Sequence, residues 1–543
     1  MQGLMQDWPL LAHKVLDHAA TYHPDQEIVS RSIEGPIHRQ TYTDLNRRAR
    51  KLASGCQKRG IKLGDVVGTM AWNGYRHLES WYAIMGIGAV VHTLNPRLFP
   101  EQLVYIIDHA EDTCFFVDLT FVPILEAIQD KLPKIKNFVV MTDREHMPDT
   151  KLRGVICYEE LLAEGDDDFV WPEFDENTAC GMCYTSGTTG NPKGVVYSHR
   201  SNVLHAMATN MADALGFLST DTVMPVVPMF HANAWSTAFS APMAGAKMVM
   251  PGAQMDGASI YELLDTEQAT ITLAVPTVWL MLLQFLEQNP EKKLDALKRV
   301  VIGGSACPES MMKAFEEGYD VEVIHAWGMT EMSPLGTLGT RKGGMQDMSQ
   351  EEWWPIKLKQ GRPPFTVEMR ITDDDEKELP RDGKAFGHLV VRGPCISKAY
   401  LKGEGGNILD GQGFFDTGDV STVDEYGFMQ ITDRSKDVIK SGGEWISSID
   451  LENIAVGHPD VAEAAVIGIE HPKWDERPLL VIVKKDGTEP DGADILKFME
   501  GKIAKWWMPD DVAFVEEIPH TATGKISKLQ LRQAFEGYTL PTG

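Results

Sequence analysis

The chain has 543 residues, several times the usual length per domain, and 43% of them are hydrophobic, so two or more cored domains are expected. Its formal charge is −27, from 51 Lys+Arg against 78 Asp+Glu, and this argues against nucleic-acid partners and anionic membrane surfaces, which need a basic footprint. Seven scattered cysteines argue for a reduced chain rather than a disulfide scaffold.

Residues 1–10 lack a basic stretch followed by an apolar one, so no signal peptide is read. The longest apolar run, 81–91, is far short of the roughly 18 residues of a spanning helix. A soluble, cytoplasmic protein without stable membrane insertion is expected. Thr43 is placed to cap a helix with Leu45, Ala49, Leu52, Ala53 and Cys56 on one stripe and Gly60 at its end. Short apolar strands follow at 65–71, 113–117, 138–141, 223–227, 247–250, 270–275 and 299–302, with helical patterns between several of them, such as 278–287. Alternating strands and helices predict α/β architecture with largely parallel sheets, and continuous apolar strands predict sheets covered on both faces. From about Gly383 the texture turns β-rich, with strands at 387–392 and 428–432. Strands at 462–469, 479–483 and 512–515 and a helix at 493–505 then predict a small α+β unit. The boundary is set at 433/434, giving domains 1–433 and 434–543. Cys180 and Cys183 form a CxxC, but no second CxxC or paired histidines accompany it, so two small residues on a buried strand are expected.

The most specific string is Tyr184-Thr-Ser-Gly-Thr-Thr-Gly-Asn-Pro-Lys-Gly194. Gly187 and Gly190 let backbone N–H groups curl around an anion. Ser186, Thr188 and Thr189 add hydroxyl donors, and Lys193 supplies positive charge toward outer phosphates. The spacing is not the Walker pattern, so an ordinary P-loop is disfavoured.

This string resembles the signature loop of the adenylate-forming superfamily, which includes acyl-CoA synthetases, luciferases and peptide-synthetase adenylation domains. The other motifs follow in that superfamily's order over nearly the whole chain. The resemblance implies a large N-terminal domain of two α/β subdomains and a small β-barrel-like one, plus a small mobile α+β C-terminal domain. It also implies ATP, Mg²⁺ and coenzyme A as reactants or cofactors.

His325-Ala-Trp-Gly-Met-Thr-Glu331 resembles the adenine motif, with Trp327 where most relatives have Tyr. Trp327 offers a flat stacking face, and Ala326, Gly328 and Met329 frame it. Thr330 suits a phosphate, and Glu331 suits Mg²⁺, a hard cation whose second protein ligand the resemblance makes Thr185. Gly303, Gly304, Ser305 and Ala306 resemble the wall against which an acyl-adenylate lies. Phe414-Phe-Asp-Thr-Gly-Asp419 resembles the ribose motif, with Asp419 as acceptor for both hydroxyls. In Thr432-Asp-Arg-Ser-Lys-Asp437, Arg434 is the implied nucleotide contact and Lys436 the implied pivot. Ser441, Gly442, Gly443, Glu444 and Trp445 resemble the loop that shapes the thioester-forming site. Lys440 resembles a lysine that reaches the nucleotide in fatty-acyl ligases. Pro519-His-Thr-Ala-Thr-Gly-Lys525 resembles the motif carrying the adenylation lysine, Lys525.

In Pro228-Met-Phe-His-Ala-Asn-Ala-Trp235 the resemblance makes His231 the group beside the reacting carboxylate and Trp235 the gate of an acyl tunnel. Residues 230–237 contain no acid to hold a substrate ammonium, so an amino acid is a poor substrate. His199 is given a structural hydrogen bond and no catalytic role. Within the superfamily Phe230–Trp235, Gly442–Trp445 and Trp506-Trp-Met-Pro-Asp510 resemble the fatty-acyl-CoA ligases and the 3-methylmercaptopropionate-CoA ligases that share their branch. This resemblance implies a short- to medium-chain apolar acid, with 3-methylmercaptopropionate favoured. The expected reaction is acid plus ATP to acyl-AMP and pyrophosphate, then thioester and AMP. Lys525 acts in the first half and the 441–445 loop in the second. Alternatives are a medium- or long-chain fatty-acyl ligase, an acyl-AMP ligase loading a carrier protein, an oxygenase, and a non-enzymatic nucleotide-binding module. A homodimer is implied by the resemblance alone.

Overall fold

The second helix shows how local chemistry sets an element's start. Thr41 Oγ1 accepts from the Asp44 N–H, and the Asp44 carboxylate accepts from the Thr41 N–H, both at 3.2 Å. The helix is Tyr42–Lys58, and its cap is Thr41 rather than Thr43, because only Thr41 has an acid three residues on. Its stripe of Leu45, Ala49, Leu52, Ala53 and Cys56 is fully buried. The computed structural model describes every residue except 2, 186–190, 435–436, 443, 522–524 and 542–543, and only the backbone of Glu444 and Trp445.

Four sheets lie among the described residues. In the first, Glu322–Gly328, Arg299–Ile302, Ile271–Ala274, Thr222–Pro225, Lys247–Met250 and Glu27–Arg31 run parallel. Antiparallel strands Leu335–Leu338 and Ile37–Thr41 close its two edges. The second sheet runs Val155–Cys157, Asn137–Val140, Cys114–Val117, Val66–Met70, Val90–Thr93, Ala179–Tyr184, all parallel, with Gly194–Ser198 antiparallel at its edge. Most of these strands are buried residue after residue, as covered parallel sheets require. The apolar run 81–91 is split. Its first part ends the helix Tyr75–Gly86, Gly88 turns the chain at φ +77°, and the strand Val90–Thr93 begins. No helix among the described residues is long and apolar enough to cross a membrane.

The β-rich stretch is a four-stranded antiparallel sheet, Glu368–Thr372, Phe386–Arg392, Phe415–Val423 and Met429–Arg434. The C-terminal part is α+β. The hairpin Val461–His471 with Asp475–Lys484 is flanked by Ile439–Ser441, Glu444–Ile446 and Asp511–Val515. One face packs on the helices Ser448–Val456 and Gly492–Met499, and the other on Ile518, Leu531 and Leu540. The second of these helices was expected to reach 505. It stops at Met499, where Glu500 is extended and Gly501 takes φ +76°.

Candidate active site

Both parallel sheets deliver their carboxyl ends to one cavity of about 730 Å³. From the first sheet come Val226 and Val227, Val275, Gly303 and Gly304, and Trp327 to Glu331, each at or just past the end of its strand. From the second come Trp72, Asn95 and Thr185. Open α/β sheets bind ligands in this place, outside the carboxyl ends of their strands. Four cationic side chains, Arg97, Lys193, Arg434 and Lys525, line the cavity of a chain that is otherwise strongly acidic. Such a local reversal of sign favours a polyanion.

The signature string connects two antiparallel strands, Ala179–Tyr184 and Gly194–Ser198. Thr185 N–H donates to Lys193 O at 2.9 Å, and Lys193 N–H donates to Thr185 Oγ1 at 3.2 Å, closing its neck. Ser186, Gly187, Thr188, Thr189 and Gly190 lie outside the described residues. Opposite the neck, Glu331 is buried, and its Oε1 accepts from the Tyr400 hydroxyl at 2.6 Å. The Tyr197 hydroxyl donates to Thr330 O at 2.7 Å and fixes the turn beside Glu331.

The other end of the cavity is apolar. Trp72, Phe230, Trp235, Met255, Val278 and Met281 are among its lining, and no carboxylate lies among those six. Residues Ala232, Asn233, Ala234, Trp235 and Ser236 all have positive φ, from 44° to 71°. For residues with a Cβ this costs about 1–2 kcal/mol each, so neighbours must impose it. Cys183 Sγ lies beside the Ala232–Asn233 backbone and 3.0 Å from Thr93 Oγ1, and Asn233 Nδ2 donates to Asn202 Oδ1 at 3.1 Å. Asn202 in turn donates to Cys180 Sγ at 3.2 Å. Asn202 thus ties this turn to Cys180 on the CxxC strand, and burial pushes both CxxC thiols up. The turn sets the Trp235 ring against Gly303 and Gly304, where a Cβ on Gly303 would stand 2.8 Å from Ala326 O and 3.1 Å from the ring. His231 opens the turn and lines the cavity; burial and the nearby Lys525 ammonium push it down to about 4, so it is neutral.

The C-terminal unit reaches this cavity through Lys525. Burial and Arg434 lower its pKa to about 8 against the pull of Asp419 and Glu331. A model for AMP-binding enzymes matches residues 16–401, and one for their C-terminal domain matches 450–525. The chain belongs to the AMP-binding enzyme family. A 3-methylmercaptopropionyl-CoA ligase of Ruegeria lacuscaerulensis is 51% identical over 99% of each chain. A medium-chain-fatty-acid–CoA ligase of Ectopseudomonas oleovorans is 49% identical over 98% of each. Among solved structures, an anthranilate CoA ligase in complex with anthranoyl-AMP matches at TM-score 0.85 and 24% identity, over 98% of this chain and 99% of that one. ATP-bound MatB from Rhodopseudomonas palustris matches at TM-score 0.81 and 24% identity, over 97% and 99%.

Within this family frame most of the expected groups among the described residues meet at the cavity: Thr185, Lys193, His231, Trp235, Gly303, Gly304, Ala326, Trp327, Gly328, Met329, Thr330, Glu331, Arg434 and Lys525. Others do not line it. Gly304 turns at φ +84°, and Ser305 and Ala306 continue past the wall, with Ser305 exposed. His325 is buried, with Nδ1 3.1 Å from Leu358 O. Asp419 is buried behind the wall, where Trp327 Nε1 donates to Oδ2 at 3.0 Å and Arg434 Nε pairs with Oδ1 at 2.9 Å. Lys440 stands exposed on Ile439–Ser441, its N–H donating to Glu476 Oε2 at 2.9 Å. Ser441 Oγ accepts from Arg477 at 3.2 Å, and Gly442 N–H donates to Trp474 O at 2.8 Å, so this hairpin is packed within its own unit. Lys436 and Gly443, and the side chains of Glu444 and Trp445, lie outside the described residues. His199 is buried, its Nδ1 accepting from the Ala12 N–H at 3.0 Å.

Sequence reasoning missed Trp72, Asn95, Arg97, Met255, Met281, Tyr400 and Asp416. Trp72 follows the expected strand 65–71, so strand-end position was a usable signal for it. Tyr400 carried none.

Proposed function

We propose that the protein is an ATP-dependent acid–thiol ligase acting on a short- to medium-chain apolar carboxylic acid, with 3-methylmercaptopropionate favoured. One observation carries this reading: four cationic side chains and the apolar Trp72, Phe230, Trp235, Met255, Val278 and Met281 line a single cavity, and Lys525 enters it from the C-terminal unit. ATP lies along the 185–193 turn, Trp327 and Arg434, with Asp419 behind them. The acid carboxylate, beside neutral His231, attacks the α-phosphorus. A C–O–P link forms, the bond to the β-phosphate oxygen breaks, and pyrophosphate leaves. The Lys525 ammonium holds the developing charge. Glu331 and Thr185 offer the oxygen ligands that a hard cation takes, and Mg²⁺ held there would neutralise phosphate oxygens.

The unit 434–543 then turns about Lys436, withdrawing Lys525 and presenting Ser441, Gly442, Gly443, Glu444 and Trp445. The CoA sulfur attacks the acyl carbon, the thiol proton passes to solvent, and the C–O bond to AMP breaks. We place the protein in the cytoplasm and read it as a homodimer. The Ectopseudomonas relative favours a second reading, a medium-chain fatty acid as substrate. One methylene is worth only about 1–3 kcal/mol of discrimination, so one pocket can take both acids. A panel from acetate to palmitate that includes 3-methylmercaptopropionate, scored for pyrophosphate and for CoA-dependent thioester by kcat/KM, tests both. Pyrophosphate release without CoA-dependent thioester would favour carrier-protein loading, and no release with any acid would end the ligase reading.

A further inference from the structure

Tyr400 belongs to no motif, yet it touches two groups of the nucleotide end. Its hydroxyl donates to Glu331 Oε1 at 2.6 Å, and Lys193 Nζ stands 5.0 Å from its ring centroid. The bond to Glu331 is charge-assisted and short, the kind that fixes a carboxylate rotamer. The segment carrying Tyr400 is itself anchored to the hairpin and to the second sheet's flank. A Cβ on Gly194 would meet the Leu401 side chain at 3.1 Å. The Tyr105 hydroxyl donates to Glu404 Oε1 at 2.9 Å, and Lys402 pairs with Glu111 at 3.1 Å. Tyr400 therefore links a strand-end turn of the first sheet to the hairpin turn of the second, and Glu331 and Lys193 keep their spacing through it.

We propose that Tyr400 is a positioning residue of the nucleotide site: its hydroxyl fixes one oxygen of Glu331 and leaves the second for a divalent cation, while its ring carries Lys193. The inference rests on the reading of Glu331 as a metal ligand. Groups that orient a metal ligand typically govern affinity by about 10–100-fold. A cation over an aromatic ring adds a smaller effect that does not depend on metal.

The test is binding of a fluorescent ATP analogue, without acid or CoA, titrated with Mg²⁺ or held in EDTA. Tyr400→Phe should raise the Mg²⁺ concentration for half-maximal binding about tenfold, with binding in EDTA unchanged. Tyr400→Leu should show the same Mg²⁺ shift and also weaken EDTA binding about threefold, because Lys193 loses its ring. In a Glu331→Gln background, Tyr400→Phe should add nothing, since the two act through one contact. The proposal fails if Tyr400→Phe titrates like the parent, if it weakens both conditions equally, or if its effect adds to that of Glu331→Gln. Should Tyr400→Leu not fold, the Phe variant and the double variant still decide. The binding readout is independent of the ligase reading, which falls only if no acid releases pyrophosphate.

Discussion

The two ends of the cavity are built in different ways. At the acid end, Trp235 belongs to the main hydrophobic core, and its left-handed turn is tied to the second sheet by an asparagine pair on Cys180. At the other, the ammonium of Lys525 comes to the cavity from the C-terminal unit. Lys525 sits in a local turn closed by Thr521, whose N–H donates to Lys525 O at 2.7 Å and whose Oγ1 accepts from the Lys525 N–H at 3.2 Å. Pocket shape is thus part of the core, whereas charge is delivered. Changes at the acid end should move stability and selectivity together, and changes at Lys525 should move rate alone.

The largest effect should come from Lys525→Ala. Acid-dependent pyrophosphate release should fall about 10²–10³-fold. Thioester formation from supplied acyl-adenylate and CoA should be retained, with Tm unchanged. Equal losses in the two half-reactions would break the division of labour. The same lysine predicts an alkaline limb. Its pKa is lowered to about 8, so the ammonium is present below that pH and lost above it. Adenylation should fall about tenfold per pH unit beyond the limb, and Lys525→Arg should move the fall upward. A matching limb in the thioester half-reaction would count against Lys525 as its source.

Next in size is Gly303→Ala. The added methyl must displace a backbone oxygen 2.8 Å away or the Trp235 ring. Overpacking of this kind costs about 1–3 kcal/mol, read as a lowered Tm. kcat/KM should fall more for long acids than for acetate, and a uniform loss along the acid panel would remove Trp235 and Gly303 from the acyl wall. Cys183→Ala should follow. The buried Thr93 hydroxyl loses its partner at 3.0 Å, worth about 1–3 kcal/mol and read as a lowered Tm, and a zinc-selective chelator should leave the parent's Tm unchanged. Cys183→Ser, which restores an acceptor, should recover part of the loss.

Much of this was legible in the sequence. The strands 247–250 and 299–302 stand where they were expected, because strands covered on both faces are unbroken apolar runs. Lys193, Glu331 and Lys525, which line the cavity, were legible because each stands in a short string whose residue types suit anion or cation contacts. What was hidden depends on contacts distant in sequence. Nothing in Ala232-Asn-Ala-Trp-Ser236 signals positive φ, since no glycine is present; the turn's tie to the second sheet runs through Asn233, Asn202 and Cys180, which are 31 and 22 positions apart. Tyr400 meets Glu331 across 69 positions, so neither predicts the other. Asp419 was expected to open on the cavity, but the acceptor valence of its carboxylate also suits Trp327 and Arg434, and they hold it.

Lys440 gives the smallest effect and the sharpest comparison. It and Lys525 belong to the same unit and carry the same charge, yet only Lys525 lines the cavity in this orientation. Coulomb attraction between an exposed lysine and phosphates beyond a Debye length of about 8–10 Å is largely screened. Lys440→Ala should therefore change adenylation less than about twofold, and at elevated salt not at all. If rotation about Lys436 brings the hairpin of Ile439–Ser441 and Glu444–Ile446 to the site, the loss should appear in the thioester half-reaction instead. A large loss of adenylation in Lys440→Ala would mean that this lysine reaches the nucleotide before the unit turns, and the two segments would no longer divide the reaction between them.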